Sequence, residues 1–495
     1  MEENKQEENK TIRVKLVRHE WPDEKATRVR KQKQIMISIL VGVLIFVSGF
    51  AVSSIMSPKY ISVGGGNSKY SSIYEIMNNM WYFGKDVEDL DEKLIDGAIS
   101  GMVNAGGDVH TQYMGKEATM KFMSSMEGVY VGIGISYYNL NGNFIIDKVF
   151  DESPAKAAGL LPGDIVVSID GKSLEGLDSI TDLVVGSEGT LTKFRILRGK
   201  ETLYLEIPRA EVFSSVNGYV RDDVGILEIS TFAERTGYDV GRYLERFNEE
   251  NIDYLIIDLR KNTGGYLTAT VDIGSLLMPK DSVILKEEKR DGSIKEMKTK
   301  SEVTPYEFKN IAILVDGQTA SASEVLTAAL RESCDAKVIG TLTYGKGTVQ
   351  VSVPFKDGSN IKYTVAQWLT PNGDKINGIG ITPDEIVENP IALIMGIPDL
   401  EGKSYKVDSV SNAAISAQTF LAFLGYSVDR TDGYFSAQSA EAIKQFQQDH
   451  QLAVTGVIDD EVLNELILAT RMLGYAEAEK YDIQLNRAME VVHGK

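Results

Sequence analysis

The sequence predicts a multidomain α/β protein. The chain has 495 residues, which is more than one hydrophobic core usually supports. In its central part, short apolar segments such as DYLIIDLR and IAILVDG alternate with helical patterns. Buried strands that alternate with helices are typical of a mostly parallel sheet with crossover helices. Because reactive loops of such sheets follow the carboxyl ends of strands, we expect KNTGG (261–265) and QTASAS (318–323) to converge.

The composition excludes several classes of function. Hydrophobic residues make up 43% and charged residues 25% of the chain, as in ordinary globular proteins. The formal net charge of −19 argues against a nucleic-acid partner, which would need a basic surface. Cys334 is the only cysteine, so neither an internal disulfide nor a cysteine-based metal site can form. We predict no metal and no cofactor.

A membrane anchor is predicted near the N-terminus. Residues 35–56 carry no charge over 22 positions, enough for one transmembrane helix. Five lysines or arginines between positions 25 and 33 precede it, so residues 1–34 should form a basic cytoplasmic tail. The rest of the chain would then lie on the extracytoplasmic side of the cell membrane. A cleaved signal peptide is the alternative, but AVSSIMSPKY is a poor cleavage site.

Changes of pattern divide the rest of the chain. Glycine-rich SVGGGNS is typical of a flexible linker, apolar residues at helical spacing follow it, and short strands begin near position 128. In chain order we predict a linker (57–68), an N-terminal helical region (69–115), a small strand-rich domain (116–208), the α/β core (209–395), a second linker (396–410), a small three-helix domain (411–470) and a helical tail (471–495).

The α/β core contains the parts of a Ser–Lys hydrolase. Ser321 lies in a small-residue loop, Lys346 follows 25 residues later between two glycines, and Gln350 comes four residues after that. A serine hydroxyl is a weak nucleophile and needs an adjacent base. A lysine serves as that base if burial away from carboxylates keeps it neutral. If one extended strand carries both Lys346 and Gln350, the amide faces the amine without charging it.

Histidine is a poorer candidate for the base. The four histidines are His19, His110, His450 and His493, and none lies in the α/β core. His110 belongs to the helical region, far from the strands in sequence, although it could fold back. A Ser–His–Asp arrangement is therefore not the preferred interpretation.

An oxyanion site is expected beside the serine. Ala322 begins a predicted helix, where backbone N–H groups point outward at the positive end of the helix dipole. Gly264 or Gly265 would supply a second N–H, since no Cβ blocks a close approach there. Structural interpretations remain open: Ser321 with Glu324 matches a helix capping box, Ser323 could be the N-cap, and Lys346 could be a solvated turn lysine.

The combination of motifs resembles the carboxyl-terminal processing peptidases, also called tail-specific proteases. The matching stretches are DLRKNTGG, TASASEVLTAAL, GTLTYGKGTVQ and LTPNGDKINGIGITPD, with LIDGAISGMVNAGGDVHTQYM similar to the family's N-terminal helical region. The resemblance covers about residues 70–390 and implies a crotonase/ClpP-like core. It assigns Ser321 as nucleophile, Lys346 as general base and Gln350 as its positioner, and leaves the cap to Ser323. Thr263 and Tyr344 depart mildly from the family's usual proline and phenylalanine.

Two flanking domains carry their own resemblances. Residues 116–208 resemble a PDZ domain, in which YVGIGI would bind a terminal carboxylate through the backbone of Gly132, Ile133 and Gly134 while the peptide adds as a strand. A plain tight turn is the alternative there. Residues 411–470 resemble a three-helix peptidoglycan-binding domain, with DGYFS and TGVID as its turns.

Together these features predict a membrane-anchored, extracytoplasmic serine endopeptidase that recognises protein C-terminal tails. Protein substrates, peptidoglycan and the membrane are its expected partners, and dimerisation through the terminal helices is a further hypothesis. A non-catalytic PDZ scaffold at the cell wall and a peptidoglycan hydrolase are the alternatives. The complete Ser, Lys and Gln set argues against the first, and the lack of a cysteine–histidine or zinc pattern argues against the second.

Overall fold

The computed structural model describes residues 65–495 except 128, 214 and 397, together with Arg30, Lys31 and Lys33. The predicted transmembrane segment 35–56 lies outside the described residues. Within the described part, no helix is both long and apolar enough to cross a membrane. The chain divides into two units, residues 1–95 and 96–495.

The described part of the first unit is helical. Helix α1 (Gly65–Asn79) is followed by a 3₁₀ turn (Tyr82–Asp86), and helix α2 (Leu90–Asn104) begins in this unit. Gly84 is buried in the turn, where a Cβ would lie 2.9 Å from the side chain of Leu90. This close packing joins the turn to the start of α2.

A small antiparallel β domain follows near the start of the second unit. Its main sheet has the strand order β3–β4–β5–β7–β8, with β6 beside β5, and β2 pairs with β9. Its apolar core includes Ile133, Phe144 and Phe194. The elements are β2 (Val129–Gly132), β3 (Ile135–Leu140), β4 (Asn143–Val149), α4 (Pro154–Ala157), β5 (Ile165–Ile169), β6 (Lys172–Ser173), α5 (Thr181–Val184), β7 (Leu191–Arg198), β8 (Glu201–Pro208) and β9 (Ala210–Phe213).

The α/β core is built on a six-stranded sheet. Its order is β10–β11–β12–β15–β16–β19, and all neighbours are parallel except β10 and β11. Apolar side chains alternate along these strands, so they pack into two hydrophobic cores, one on each face of the sheet. The elements are β10 (Val216–Arg221), β11 (Val224–Ile229), α6 (Thr236–Glu249), β12 (Tyr254–Asp258), α7 (Leu267–Leu277), β15 (Asn310–Val315), α8 (Ala322–Cys334), β16 (Lys337–Gly340) and β19 (Glu385–Ile386).

Helices α6, α7 and α8 cover one face of this sheet, through residues such as Leu244, Ile273 and Leu326. The other face, which includes Ile256 and Leu314, is covered by a helix from the end of the chain, α14 (Ile483–Val492). The predicted helical tail therefore belongs to the α/β core. Ala488 and Val492 of this helix are buried against the sheet, and dimerisation through the terminal helices stays a prediction.

A second, antiparallel sheet lies beside the α/β core. Its strands are β1 (Gln112–Met114), β13 (Val283–Lys289), β14 (Ile294–Lys298), β17 (Thr348–Pro354) and β18 (Asn360–Leu369). Helix α3 (Lys116–Glu127) follows β1. Strand β1 pairs with β18, with Gln112 opposite Lys362. This pairing places the turn that precedes β1, which contains His110, next to this sheet. The possibility that His110 folds back onto the strands, which the sequence left open, is therefore the one that the structure shows.

The C-terminal domain contains three main helices, α10 (Asn412–Phe423), α11 (Ala437–Asp449) and α12 (Asp460–Ala476), with short helices α9 (Ile391–Ile394) and α13 (Ala478–Tyr481) on either side. Each main helix has a side-chain N-cap, from Ser411, Ser436 and Asp459. Helix α12 also reaches the small β domain, because the Tyr475 hydroxyl donates to Asp147 at 2.9 Å.

Candidate active site

Ser321 occupies a strained turn at the carboxyl end of β15. Its φ of 57° and ψ of −117° are rare for a residue with a side chain, and such strain concentrates at functional sites. Ser321 is the N-cap of α8, and its side chain is partly buried. The expectation that Ser323 is the N-cap was wrong. Ser323 lies inside the helix, and its hydroxyl donates to the carbonyl of Asn262 at 3.0 Å.

The carboxylate of Glu324 joins the serine turn to the lysine turn. This side chain is fully buried. One oxygen accepts from the backbone N–H of Ser321 at 2.8 Å and of Lys346 at 2.9 Å. The other accepts from Gly345 N–H at 2.7 Å and from the Thr343 hydroxyl at 2.5 Å. The capping box that the sequence suggested therefore also fixes the position of the lysine turn, which the sequence did not reveal.

Lys346 lies in the loop between β16 and β17, where both flanking glycines are needed. A Cβ on Gly345 would lie 2.7 Å from the backbone nitrogen of Gly380, and one on Gly347 would lie 2.5 Å from that of Asn377. The carbonyl of Lys346 accepts from the indole of Trp368 at 2.8 Å. The loop therefore has a packed, defined conformation, unlike the solvated turn that the sequence left open.

Burial lowers the pKa of the Lys346 amine, and the positive charge of Lys362 lowers it further. The carboxylates of Glu324 and Asp108 oppose this shift without reversing it. Within residues 96–495 as described, no hydrogen bond or ion pair holds the amine of Lys346. A larger fraction of this amine is neutral at a given pH than for an exposed lysine, as a general base requires.

Gln350 does not share one regular strand with Lys346. Strand β17 begins only at Thr348, and its register shifts between Val349 and Gln350. The carboxamide nitrogen of Gln350 donates to the hydroxyls of Thr348 at 2.8 Å and Thr364 at 3.3 Å. The assumption of a continuous strand was wrong, whereas the positioning role of Gln350 stays a prediction.

The glycine loop lies directly against the serine turn. A Cβ on Gly264, whose φ is 102°, would lie 2.9 Å from the Cβ of Ser321 and 3.0 Å from the nitrogen of Ala322. The N–H of Gly264 already donates to the side chain of Asn262 at 2.8 Å, which removes it as an oxyanion donor. The N–H groups of Ala322 and Gly265 have no hydrogen-bond partner in the described part of the chain. These two remain the candidates.

Sequence reasoning missed a polar cluster next to the lysine, in the turn before β1. The Thr111 hydroxyl donates to Asp108 at 2.6 Å and accepts from the backbone of Thr364 at 3.1 Å. Burial lowers the pKa of His110, and the charge of Lys346 lowers it further. The glycine pair of GGDVHT, just before these polar residues, was the available signal that the helical pattern ends there.

The predicted carboxylate-binding residues are all buried: Gly132 ends β2, and Ile133 and Gly134 connect it to β3. The carbonyls of Ile133 and Gly134 accept from Ala155 at 2.8 Å and Phe150 at 3.1 Å, inside the small β domain. The φ of Gly134 is 83°, which favours glycine. Strand β3 pairs only with β4 among the described strands, so no described strand pairs with its other edge.

Comparison with known proteins matches three family models to this chain. Residues 223–387 match peptidase family S41, residues 131–208 a PDZ domain, and residues 411–466 a putative peptidoglycan binding domain.

Relatives similar over most of the chain include a carboxy-terminal processing protease, CtpB, from Bacillus subtilis (strain 168). It is 36% identical over 435 residues, covering 85% of this chain and 88% of that protein. A probable CtpA-like serine protease from Staphylococcus haemolyticus (strain JCSC1435) is 34% identical over 443 residues, covering 87% and 88%. Among solved structures, the photosystem II D1 C-terminal processing protease is 24% identical, with a TM-score of 0.40, and covers 69% of this chain and 96% of that one.

Proposed function

The chain belongs to the carboxy-terminal processing serine proteases of peptidase family S41, and from this premise we propose that Ser321 and Lys346 cleave peptide bonds through an acyl-enzyme. The observation that carries the proposal is the shared carboxylate of Glu324. Since one of its oxygens binds the backbone N–H of both residues, the serine and lysine turns are held side by side at one edge of the sheets.

In this mechanism the neutral amine of Lys346 takes the proton of the Ser321 hydroxyl as the oxygen attacks the carbonyl carbon. The tetrahedral oxyanion accepts from the N–H groups of Ala322 and Gly265. The protonated lysine then gives its proton to the leaving amine. Water attacks the ester in a second cycle, with the lysine again as base, and the acid product and free serine are released.

Substrate tails would bind the small β domain. The open edge of β3 can accept an extended peptide as an added strand, and the loop of Gly132, Ile133 and Gly134 would hold the terminal carboxylate. The Bacillus subtilis relative is named a carboxy-terminal processing protease, which supports this assignment. A peptide with an amidated C-terminus should therefore be cleaved with a higher KM than the same peptide with a free one.

We also propose a location for the enzyme from its sequence. The uncharged segment 35–56 and the basic residues before it favour a single membrane anchor, with the peptidase outside the cytoplasm. The match of residues 411–466 to a peptidoglycan-binding domain supports contact with the cell wall. Protease accessibility of the core in intact, wall-digested cells would test this orientation, since protection of the core would contradict it.

Cleavage of an unstructured protein tests the catalytic assignment. Ser321→Ala and Lys346→Ala should reduce cleavage to background while the fold survives, and a serine-reactive phosphonate should label the wild type but not Ser321→Ala. Ser352→Ala and Lys356→Ala are matched controls, because both side chains are exposed on or after β17. Full activity of Ser321→Ala would overturn the assignment. A wild type that binds tails but neither cleaves nor reacts would favour the scaffold.

A further inference from the structure

Three hydroxyl groups join strand β3 to helix α5 in the small β domain. The phenol oxygen of Tyr137 lies 2.7 Å from the hydroxyl of Ser179 and 2.7 Å from that of Thr181. The Ser179 hydroxyl donates to that of Thr181 at 3.0 Å, and the Tyr137 oxygen also accepts from the backbone N–H of Ile180 at 3.0 Å. Ser179 and Thr181 are exposed, so this hydroxyl cluster (Tyr137, Ser179 and Thr181) is accessible to a bound molecule.

The surrounding structure holds the hydroxyl cluster in a fixed position. At the end of α5, the guanidinium of Arg209 donates to the carbonyl of Leu183 at 2.7 Å and to that of Val184 at 2.9 Å. On β3, the ring of Tyr137 contacts the ring of Phe144 edge to face, with the two centroids 5.9 Å apart. Because the cluster is ordered before a ligand arrives, binding to it costs little conformational entropy.

The direction of a bound tail decides which of its residues meets the cluster. Gly132, Ile133 and Gly134 precede β3, so a tail whose carboxylate is held there runs antiparallel to β3. Its last residue then lies beside Ile135 and its third-last residue beside Tyr137. Opposite residues of an antiparallel pair point to the same face, and the Tyr137 side chain reaches α5. The third-last side chain therefore meets the hydroxyl cluster, whereas the second-last one points to the other face.

The bonds within the cluster show what chemistry it can still accept. Three hydroxyls carry three hydrogens and six lone pairs. Their three mutual contacts use all three hydrogens and three lone pairs, and the backbone N–H groups of Ile180 and Thr181 use two more. One lone pair is left, which accepts from a hydroxyl or a carboxamide. A carboxylate has no hydrogen to donate, and Asp178 and Asp182, which flank the cluster without an ion pair among the described residues, would repel it.

We propose that Tyr137, with Ser179 and Thr181, is a specificity-determining residue that selects tails with a neutral hydroxyl or carboxamide side chain at the third residue from the C-terminus. The inference rests on the proposed function, because it requires the tail to add to β3. Selection should be weaker two residues further back in the tail, beside Asn139. The carboxamide of Asn139 already donates to the carbonyl of Leu177 at 3.1 Å and accepts from Gly142 N–H at 2.7 Å.

Tail peptides that differ at a single position test the inference. The full chain with Ser321→Ala, which should not cleave them, is titrated by fluorescence anisotropy with peptides that have Ser, Asn, Asp or Val as the third-last residue. The Ser and Asn tails should bind with a Kd about three- to tenfold lower than the Val tail, as expected for one net hydrogen bond. The Asp tail should bind no better than the Val tail. Exchange of Ser for Val at the second-last residue should leave the Kd nearly unchanged.

Substitutions in the cluster locate the selectivity. Tyr137→Phe keeps the ring and removes the phenol oxygen, and Thr181→Val removes a second hydroxyl, so each should reduce the preference for Ser over Val to about twofold or less. Tyr204→Phe is the matched control and should keep the full preference, because Tyr204 is 75% exposed on β8, at the opposite edge of the same sheet.

Two results would overturn the inference: equal Kd values for the Ser and Val tails in the chain with an intact cluster, or an undiminished preference in both Tyr137→Phe and Thr181→Val. The proposed function fails in a different way. Equal Kd values for tails with free and amidated C-termini would contradict carboxylate binding by the small β domain itself, whatever the third-last residue.

Discussion

Replacement of Glu324 by glutamine should damage stability and activity together. The carboxylate accepts four hydrogen bonds while fully buried. In Glu324→Gln one oxygen becomes an NH₂ group, so two of the four donors lose their acceptor. At about 1.5–3 kcal/mol for each hydrogen bond to a charged group, the unfolding free energy should fall by roughly 3–6 kcal/mol. Because the serine and lysine turns would separate, activity should fall at least about 100-fold.

Urea unfolding followed by tryptophan fluorescence would measure this effect. Trp368 is buried and donates to the carbonyl of Lys346, so its emission reports on the site itself. Glu332→Gln is the matched control on the same helix, since Glu332 is partly exposed and accepts one hydrogen bond, from the backbone of Asn372. It should change the unfolding free energy by no more than about 0.5–1 kcal/mol. A loss below about 1 kcal/mol in Glu324→Gln, with activity retained, would refute the reasoning.

Three further changes have defined outcomes. Lys362→Gln removes a positive charge that lowers the pKa of Lys346, so the acid limb of kcat/KM should move to higher pH; an unchanged limb would contradict the assigned base. Gly264→Ala places a Cβ 2.8 Å from the carbonyl oxygen of Ala320, which would displace the serine turn, so kcat should drop at least about tenfold. A normal kcat in a peptidase assay would exclude this close packing. Burial alone would raise the pKa of Asp482, but hydrogen bonds from Arg260 hold this pKa below its usual value of 3.8. The Asp482–Arg260 pair therefore stabilises the fold above pH 3.8, and this stabilisation is lost as the pH falls through the lowered pKa. Thermal melts of Asp482→Asn between pH 3 and 7 should therefore show a lower melting temperature at neutral pH and a smaller acid-induced loss than the wild type.

The parts of the site that the sequence predicted are those that local pattern determines. Ser321 and Lys346 stand out because small residues and glycines follow buried strands, and strand ends meet at one edge of a sheet. The cluster around Asp108 was missed because it depends on the pairing of Gln112 with Lys362, 250 positions apart, which periodicity does not reveal. The role of Gly264 was only half predicted: the close approach was expected, but not the bond from its N–H to Asn262.

The C-terminal helix has a practical consequence for studying the peptidase alone. Residues 483–492 complete the α/β core, although the C-terminal domain of three main helices lies between them and the core in sequence. A recombinant fragment cut at residue 395 would leave an apolar sheet face, including Ile226, Ile256, Leu314 and Ile339, uncovered and prone to aggregate. A soluble minimal enzyme should instead be made by deleting the intervening helices and joining the last helix to the core through a flexible linker.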